Sequence, residues 1–227
     1  MRKRTFAFCV VVLLAMVLAI TNLSPLHLVD SAIGAIFLAP QLVPNPAPEV
    51  IPGLRDWQGS TGFFTLSSAS RITIDPANTT QLKDTAQVFQ NDLLAVTGHM
   101  LPIATTNSPG AGDFFLTLNN LDASIGNEGY LFQVEDTLVI SAHTRTGVFY
   151  GTRTALQILV QDFTKTHIPK GIATDYPQYA ERGFMLDAGR KFFSLQSLED
   201  YVKLMAWYKL NDFHIHLNDN ALGGGDS

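Results

Sequence analysis

The sequence predicts a chain of mixed α/β and α+β class. A small antiparallel sheet with two helices comes first, and a β-α-β unit of the kind that builds parallel sheets and barrels follows. Three observations carry this. Short alternating apolar runs between residues 70 and 142 read as strands, two of them joined as a hairpin. Two amphipathic stripes at helical spacing lie among and after these strands. Beyond residue 181 an apolar strand, a capped helix and a second strand follow in succession, the arrangement that builds parallel sheets and barrels.

The elements are taken in chain order. Arg2, Lys3 and Arg4 precede an uncharged apolar run from Phe6 to Ile20. This is the pattern of a charged n-region and an h-region, and the run is shorter than the roughly 20 residues of a full span. Residues 1–35 therefore read as a signal peptide or a retained N-terminal anchor, with small residues for cleavage at Ser31–Ala35 and near Ala19. The expected location is exported, extracellular or cell-surface, with membrane contact only through this segment if it stays uncleaved. Cys9 is the only cysteine and lies inside the apolar run, so the exported part is expected to hold no disulfide. Residues 36–52 are rich in proline and read as an extended linker.

Residues 53–167 read as one domain. Ser70–Asp75 alternates as a strand. A helix follows, with Leu82, Ala86, Phe89 and Leu93 on one face and Gly98 as its stop. The runs HMLPIA and DFFLTLN read as short strands. Tyr130–Val134 and Leu138–Ala142 form a hairpin about a Glu135-Asp136 turn. Gly147 opens a second helix, with Phe149, Thr152, Leu156 and Leu159 along one stripe. Residues 168–181 read as a second linker. Residues 182–227 then hold a strand (RGFMLD), a helix capped by Ser194 or Ser197 with Leu198, Val202, Met205 and Tyr208 on one face, and a second strand (DFHIHL).

The composition narrows the function. Only 15% of the residues are charged, which argues against long disorder. A net charge of −5 with no basic stripe beyond the first residues argues against a nucleic-acid partner. In a parallel barrel, functional groups gather at the C-terminal ends of the strands. Asp187 ends the first strand and Arg190 follows it; Asn218 and Asp219 follow the second. Strand alternation places His214, His216 and Asn218 on one face, and Phe213, Ile215 and Leu217 on the other. Two histidines at i and i+2 can reach one zinc, but further ligands are needed and none is identifiable, so no metal is expected. The plainer reading makes His214 and His216 interior polar residues with hydrogen-bond partners.

The runs RGFMLDAGRKFF and KLNDFHIHLNDN together resemble the start of the catalytic barrel of glycoside hydrolase family 20, the β-N-acetylhexosaminidases. Arg182, Gly183, Asp187, Arg190, Phe192, Lys209, Leu210, Asn211, His214, His216, Leu217 and Asp219 fit that family's pattern. The run EGYLFQVEDTLVISAHTRTGVFYGTRTALQIL is similar to the non-catalytic α/β domain that precedes the barrel. Lys191, Ile215, Asn220 and the run Ala-Leu-Gly-Gly-Gly depart from residues frequent in the family.

The resemblance implies a truncated TIM barrel and hydrolysis of terminal β-linked N-acetylhexosamine. The partner would be a glycan or glycoconjugate ending in that sugar, and no cofactor is implied. Arg190 matches the arginine that grips sugar hydroxyls, for which a planar fork of donors is suited. Asp219 matches an aspartate that supports a later histidine and the catalytic acid, and His216 a supporting group. Arg182, Asp187 and His214 are expected to be structural, near the site. In the family the substrate's own 2-acetamido oxygen attacks the anomeric carbon, while an Asp-Glu pair orients it and protonates the leaving group. That pair does not occur here and is expected downstream of Ser227. An N-terminal part of a longer enzyme, inactive by itself and with no catalytic residue of its own, is therefore expected. A non-catalytic carbohydrate- or partner-binding module and a zinc-dependent barrel hydrolase are the alternatives.

Overall fold

A computed structural model describes residues 43–119 and 122–218. The N-terminal apolar segment with Cys9, the first part of the proline-rich stretch, and the run from Asp219 to Ser227 lie outside the described residues. Strand β1 (Trp57–Thr65) is followed by β2 (Ile72–Ile74), α1 (Thr79–Thr97), β3 (Ile103–Thr105), β4 (Phe114–Thr117), β5 (Tyr130–Val134), β6 (Leu138–Ala142), α2 (Arg145–Gln161) and β7 (His167–Asp175). Strand β8 (Gly183–Asp187), helix α3 (Leu195–Trp207) and strand β9 (Asp212–His216) complete the order.

The first seven strands form one sheet in the order β1-β7-β5-β6-β4-β2-β3. The expectation of an antiparallel sheet needs correction, because the sheet is mixed. The β6/β4, β4/β2 and β2/β3 pairings are parallel. The cause is α1. It carries the chain back along the sheet after β2, so that β3 starts again in the same direction, and residues 106–113 return the chain for β4. The antiparallel half is built around the β5–β6 hairpin, whose register runs from Tyr130 opposite Ala142 to Val134 opposite Leu138.

The linker reading of residues 168–181 also needs correction. His167–Asp175 is β7, paired with β1 on one side and β5 on the other. Ile168, Gly171, Ala173 and Asp175 are buried at alternate or near-alternate positions. Pro169, which made the run look like a linker, lies beyond the end of the β5 ladder. On its other side it stays paired with Phe63 of β1, beside the register shift between Gly59 and Phe63. Strand β1 itself was not legible in the sequence, since Gly59 and Gly62 interrupt its apolar pattern. Its outer edge is covered by the described end of the proline-rich stretch. There Asn45 donates from its backbone N–H to Ser60 O (2.8 Å) and from its side chain to Gly62 O (2.7 Å) and Lys170 O (3.0 Å).

Helix α1 buries Leu82, Ala86, Phe89 and Leu93 and ends at Gly98, whose φ of 78° allows its N–H to reach Leu94 O. Helix α2 starts at Arg145, two positions before Gly147, because the Thr144 side chain caps it. It lies so close to the sheet that a Cβ at Gly151 would sit 2.4 Å from Ile140 Cγ2. On its other side Arg153 is buried, stacks on Phe149 and bonds Asp92 of α1 at 2.5 Å. Gln157 accepts from Ile51 N–H (2.8 Å) and donates to Ile51 O (2.9 Å) and to Trp207 O at the end of α3 (2.7 Å).

Strands β8 and β9 pair in parallel, from Gly183 opposite Asp212 to Asp187 opposite His216. Ser194 caps α3 by accepting from Ser197 N–H. Phe184 and Phe213 stack under α3 beside Tyr201. Of the stripe predicted on α3 only Met205 is buried, and Val202 is 52% exposed.

Candidate active site

The site begins with the β8/β9 register. It sets Asp187 beside His216 at the C-terminal end of the two-stranded sheet. The chain then turns back over β9, because the N–H groups of Ala188 and Gly189 both donate to His216 O at 2.9 Å. Gly189 N–H also donates to Asp187 Oδ1 at 3.1 Å. A Cβ at Gly189 would lie 3.3 Å from the His216 ring, so the turn passes close over the imidazole. The turn delivers Arg190, whose Nε is 3.4 Å from Asp187 Oδ2. A guanidinium, a carboxylate and an imidazole thus meet at one strand end. The Arg190 side chain is 52% exposed there and Asp187 37%.

The other predicted residues fall elsewhere. Asp219 lies outside the described residues, and so does Ser227, beyond which the acidic pair is expected. His214 shares the face of His216, is paired with Met185 and is exposed among the described residues. Met185 beside it is 60% exposed, because among the described residues no further element covers that face. Nor is any group of three or more His, Cys, Asp and Glu side chains placed to hold a metal ion among them.

Arg182 is at the opposite end of β8 from Arg190. Its Nη2 donates to Glu128 Oε2 (2.6 Å), its Nη1 to Tyr179 O (2.7 Å) and its Nε to Lys209 O (2.9 Å). Asn211 bonds the same carboxylate at 3.0 Å and accepts from Arg182 N–H.

Sequence reasoning missed the centre of this junction. Lys209 is 5% exposed and donates to Tyr130 OH (2.7 Å) and Asp175 Oδ2 (3.0 Å). The Tyr130 hydroxyl donates to Asp175 Oδ2 at 2.5 Å and lies 2.6 Å from Thr154 Oγ1. Burial pushes Lys209 below its ordinary range, against the pull of Asp175. Burial, reinforced by Asp175, pushes the Tyr130 phenol well above its own. The Lys-Leu-Asn run was the only signal, and its partners lie on elements far earlier in the chain.

Comparison with known proteins places these observations. A model of glycosyl hydrolase family 20, domain 2, matches residues 47–176, the seven-stranded sheet and its two helices. The chain belongs to glycosyl hydrolase family 20. The model of the family's catalytic domain matches residues 179–221, which contain β8, α3, β9 and Arg190.

Lacto-N-biosidase of Bifidobacterium bifidum is 32% identical over 184 residues, covering 80% of this chain and 16% of that protein. The β-N-acetylhexosaminidase of Cellulomonas fimi is 30% identical over 161 residues, covering 69% of this chain and 32% of the relative. Among solved structures, the family 20 β-N-acetylhexosaminidase of Streptomyces coelicolor superimposes with a TM-score of 0.68 at 27% identity, over 78% of this chain and 36% of that one. A mutant Streptomyces plicatus β-hexosaminidase, in complex with its product N-acetylglucosamine, gives 0.69 at 26% identity, over 79% and 36%. The chain thus spans between 16% and 36% of the length of these four proteins.

Proposed function

We propose that this chain forms part of an exported β-N-acetylhexosaminidase that hydrolyses terminal β-linked N-acetylhexosamine from glycans. The observation that carries the reading is Arg190. Within the catalytic-domain match it follows a barrel strand at the C-terminal end, half exposed and oriented by Asp187 beside His216. A guanidinium carries its N–H donors in a planar fork, which suits neighbouring sugar hydroxyls, and a carboxylate at one edge fixes the plane of that fork. Asp187 is a positioning residue in this scheme, and Asp219, beyond the described part of the chain after β9, would support the acid.

The reaction proposed is substrate-assisted. The 2-acetamido oxygen attacks the anomeric carbon, a carboxylate orients the acetamido group, and a neighbouring acid protonates the departing oxygen. No Asp-Glu dipeptide occurs in the sequence, so these two groups are not supplied by the residues up to Ser227. The chain itself is therefore expected to turn over no chromogenic N-acetylglucosaminide, and measurable turnover would defeat this assignment of roles. In an enzyme carrying this segment together with the acidic pair, Arg190→Ala should lower kcat/KM by about 2–4 kcal/mol of transition-state stabilisation. Unchanged kinetics in that variant would remove Arg190 from the site.

A further inference from the structure

A cavity of about 400 Å³ lies at the junction between the seven-stranded sheet and the N-terminal end of β8. This is within the size range of small-molecule sites. Five charged side chains line it: Arg55, Glu128, Asp175, Arg182 and Lys209. Four of them pair off, Arg182 with Glu128 at 2.6 Å and Lys209 with Asp175 at 3.0 Å. Both carboxylates are thereby neutralised, and Arg55 is the cation left over among the lining residues.

Arg55 is held in place but not consumed. Its Nε donates to Tyr176 O at 2.9 Å, and its guanidinium carbon lies 4.5 Å from the centre of the Tyr176 ring. Stacking on a ring fixes the plane of the guanidinium and leaves its edge open. Among the described residues, neither terminal nitrogen of Arg55 makes a hydrogen bond, nor do the hydroxyls of Tyr176 and Tyr179, which also line the cavity. Tyr179 is 67% exposed. The wall therefore offers one oriented fork of two N–H donors, two phenol hydroxyls and aromatic surface.

We propose that this cavity binds a carboxylated monosaccharide, with Arg55 taking the carboxylate through its two terminal nitrogens. Parallel N–H donors match the two oxygens of a carboxylate, and a charge-assisted pair of this kind is the strong form of hydrogen bond. The phenol groups of Tyr176 and Tyr179 serve the ring hydroxyls, and the tyrosine rings the apolar face of the sugar. The assignment does not depend on the hydrolase reading, because none of the groups it uses lies at the strand end that carries Arg190.

The test is calorimetric titration of the full chain with D-glucuronate, D-glucose and cyclohexanecarboxylate. The expected result is saturable binding of glucuronate, about tenfold or more tighter than either glucose, which lacks the carboxylate, or cyclohexanecarboxylate, which lacks the hydroxyls. Arg55→Gln, verified as folded by its thermal transition, should weaken glucuronate by about tenfold or more. No saturation by about 10 mM, far weaker than a specific site requires, overturns the proposal. So does equal affinity for either control, or an unaltered affinity in Arg55→Gln. Should that variant fail to fold, amide shifts of the unaltered chain decide instead. Glucuronate must perturb Arg55, Tyr176 and Tyr179, and perturbations confined to other residues reject the site.

Discussion

At its N-terminal end β8 presents Arg182, 12% exposed, locked onto Glu128 beside the buried Lys209–Asp175–Tyr130 network. At its C-terminal end the same strand presents Asp187 and Arg190, with the pair 3.4 Å apart and the arginine half in solvent. The ion-pair chemistry is alike and the accessibility opposite. Where the cations are shielded and bonded to several acceptors, the charges join one part of the molecule to another. Where the pair is open to solvent, it contributes little to stability, and the guanidinium stays within reach of a ligand.

The comparison can be broken most readily at Lys209. Replacing it by Met strands the Asp175 carboxylate in a buried setting, and unfolding free energy should fall by about 3–5 kcal/mol in a denaturant titration. A loss below about 1 kcal/mol would mean that water reaches the network and that the two ends do not differ. Tyr130 gives a smaller, pH-dependent effect. Its folded pKa is raised by burial, so its contribution is fully present below the ordinary phenol pKa and is lost as pH rises beyond it. Above about pH 10, where the unfolded chain ionises first, stability should decline, and less steeply in Tyr130→Phe. A slope identical in both proteins would deny Tyr130 that role. The smallest effect is expected at the other end. Arg190→Ala should shift unfolding free energy by no more than about 0.5 kcal/mol, since exposed pairs are worth little. A loss of several kcal/mol would recast Arg190 as structural.

Legibility in the sequence followed the range of the interactions. The β8–α3–β9 unit could be read because its signals are local: an apolar strand, a serine cap, a helical stripe and an alternating strand. The β5–β6 hairpin and the Gly98 stop were legible for the same reason. Strand β7 was not, because Pro169 and Lys170 imitate a linker, and what makes them tolerable is that β5 ends before it reaches them. The parallel order of β2, β3, β4 and β6 depends on which strand each one finds in space. At the site, placing Arg190 and Asp187 at one strand end needed only the strand boundary. The contact between the Gly189 turn and His216 needed the register between two strands. Lys209 was hardest, since its partners Asp175 and Tyr130 lie 34 and 79 residues away.

The side-chain amide of Gln157 has a consequence for how the chain is made. It is 5% exposed, and one of its donors is used only by Trp207 O, 50 residues later. A chain emerging from the ribosome presents α2 well before that carbonyl arrives. Until then the amide must keep a water or go unbonded, at a cost of about 1–3 kcal/mol if it is buried dry. Docking of α3 thus supplies the acceptor for an amide that the sheet domain by itself leaves to solvent.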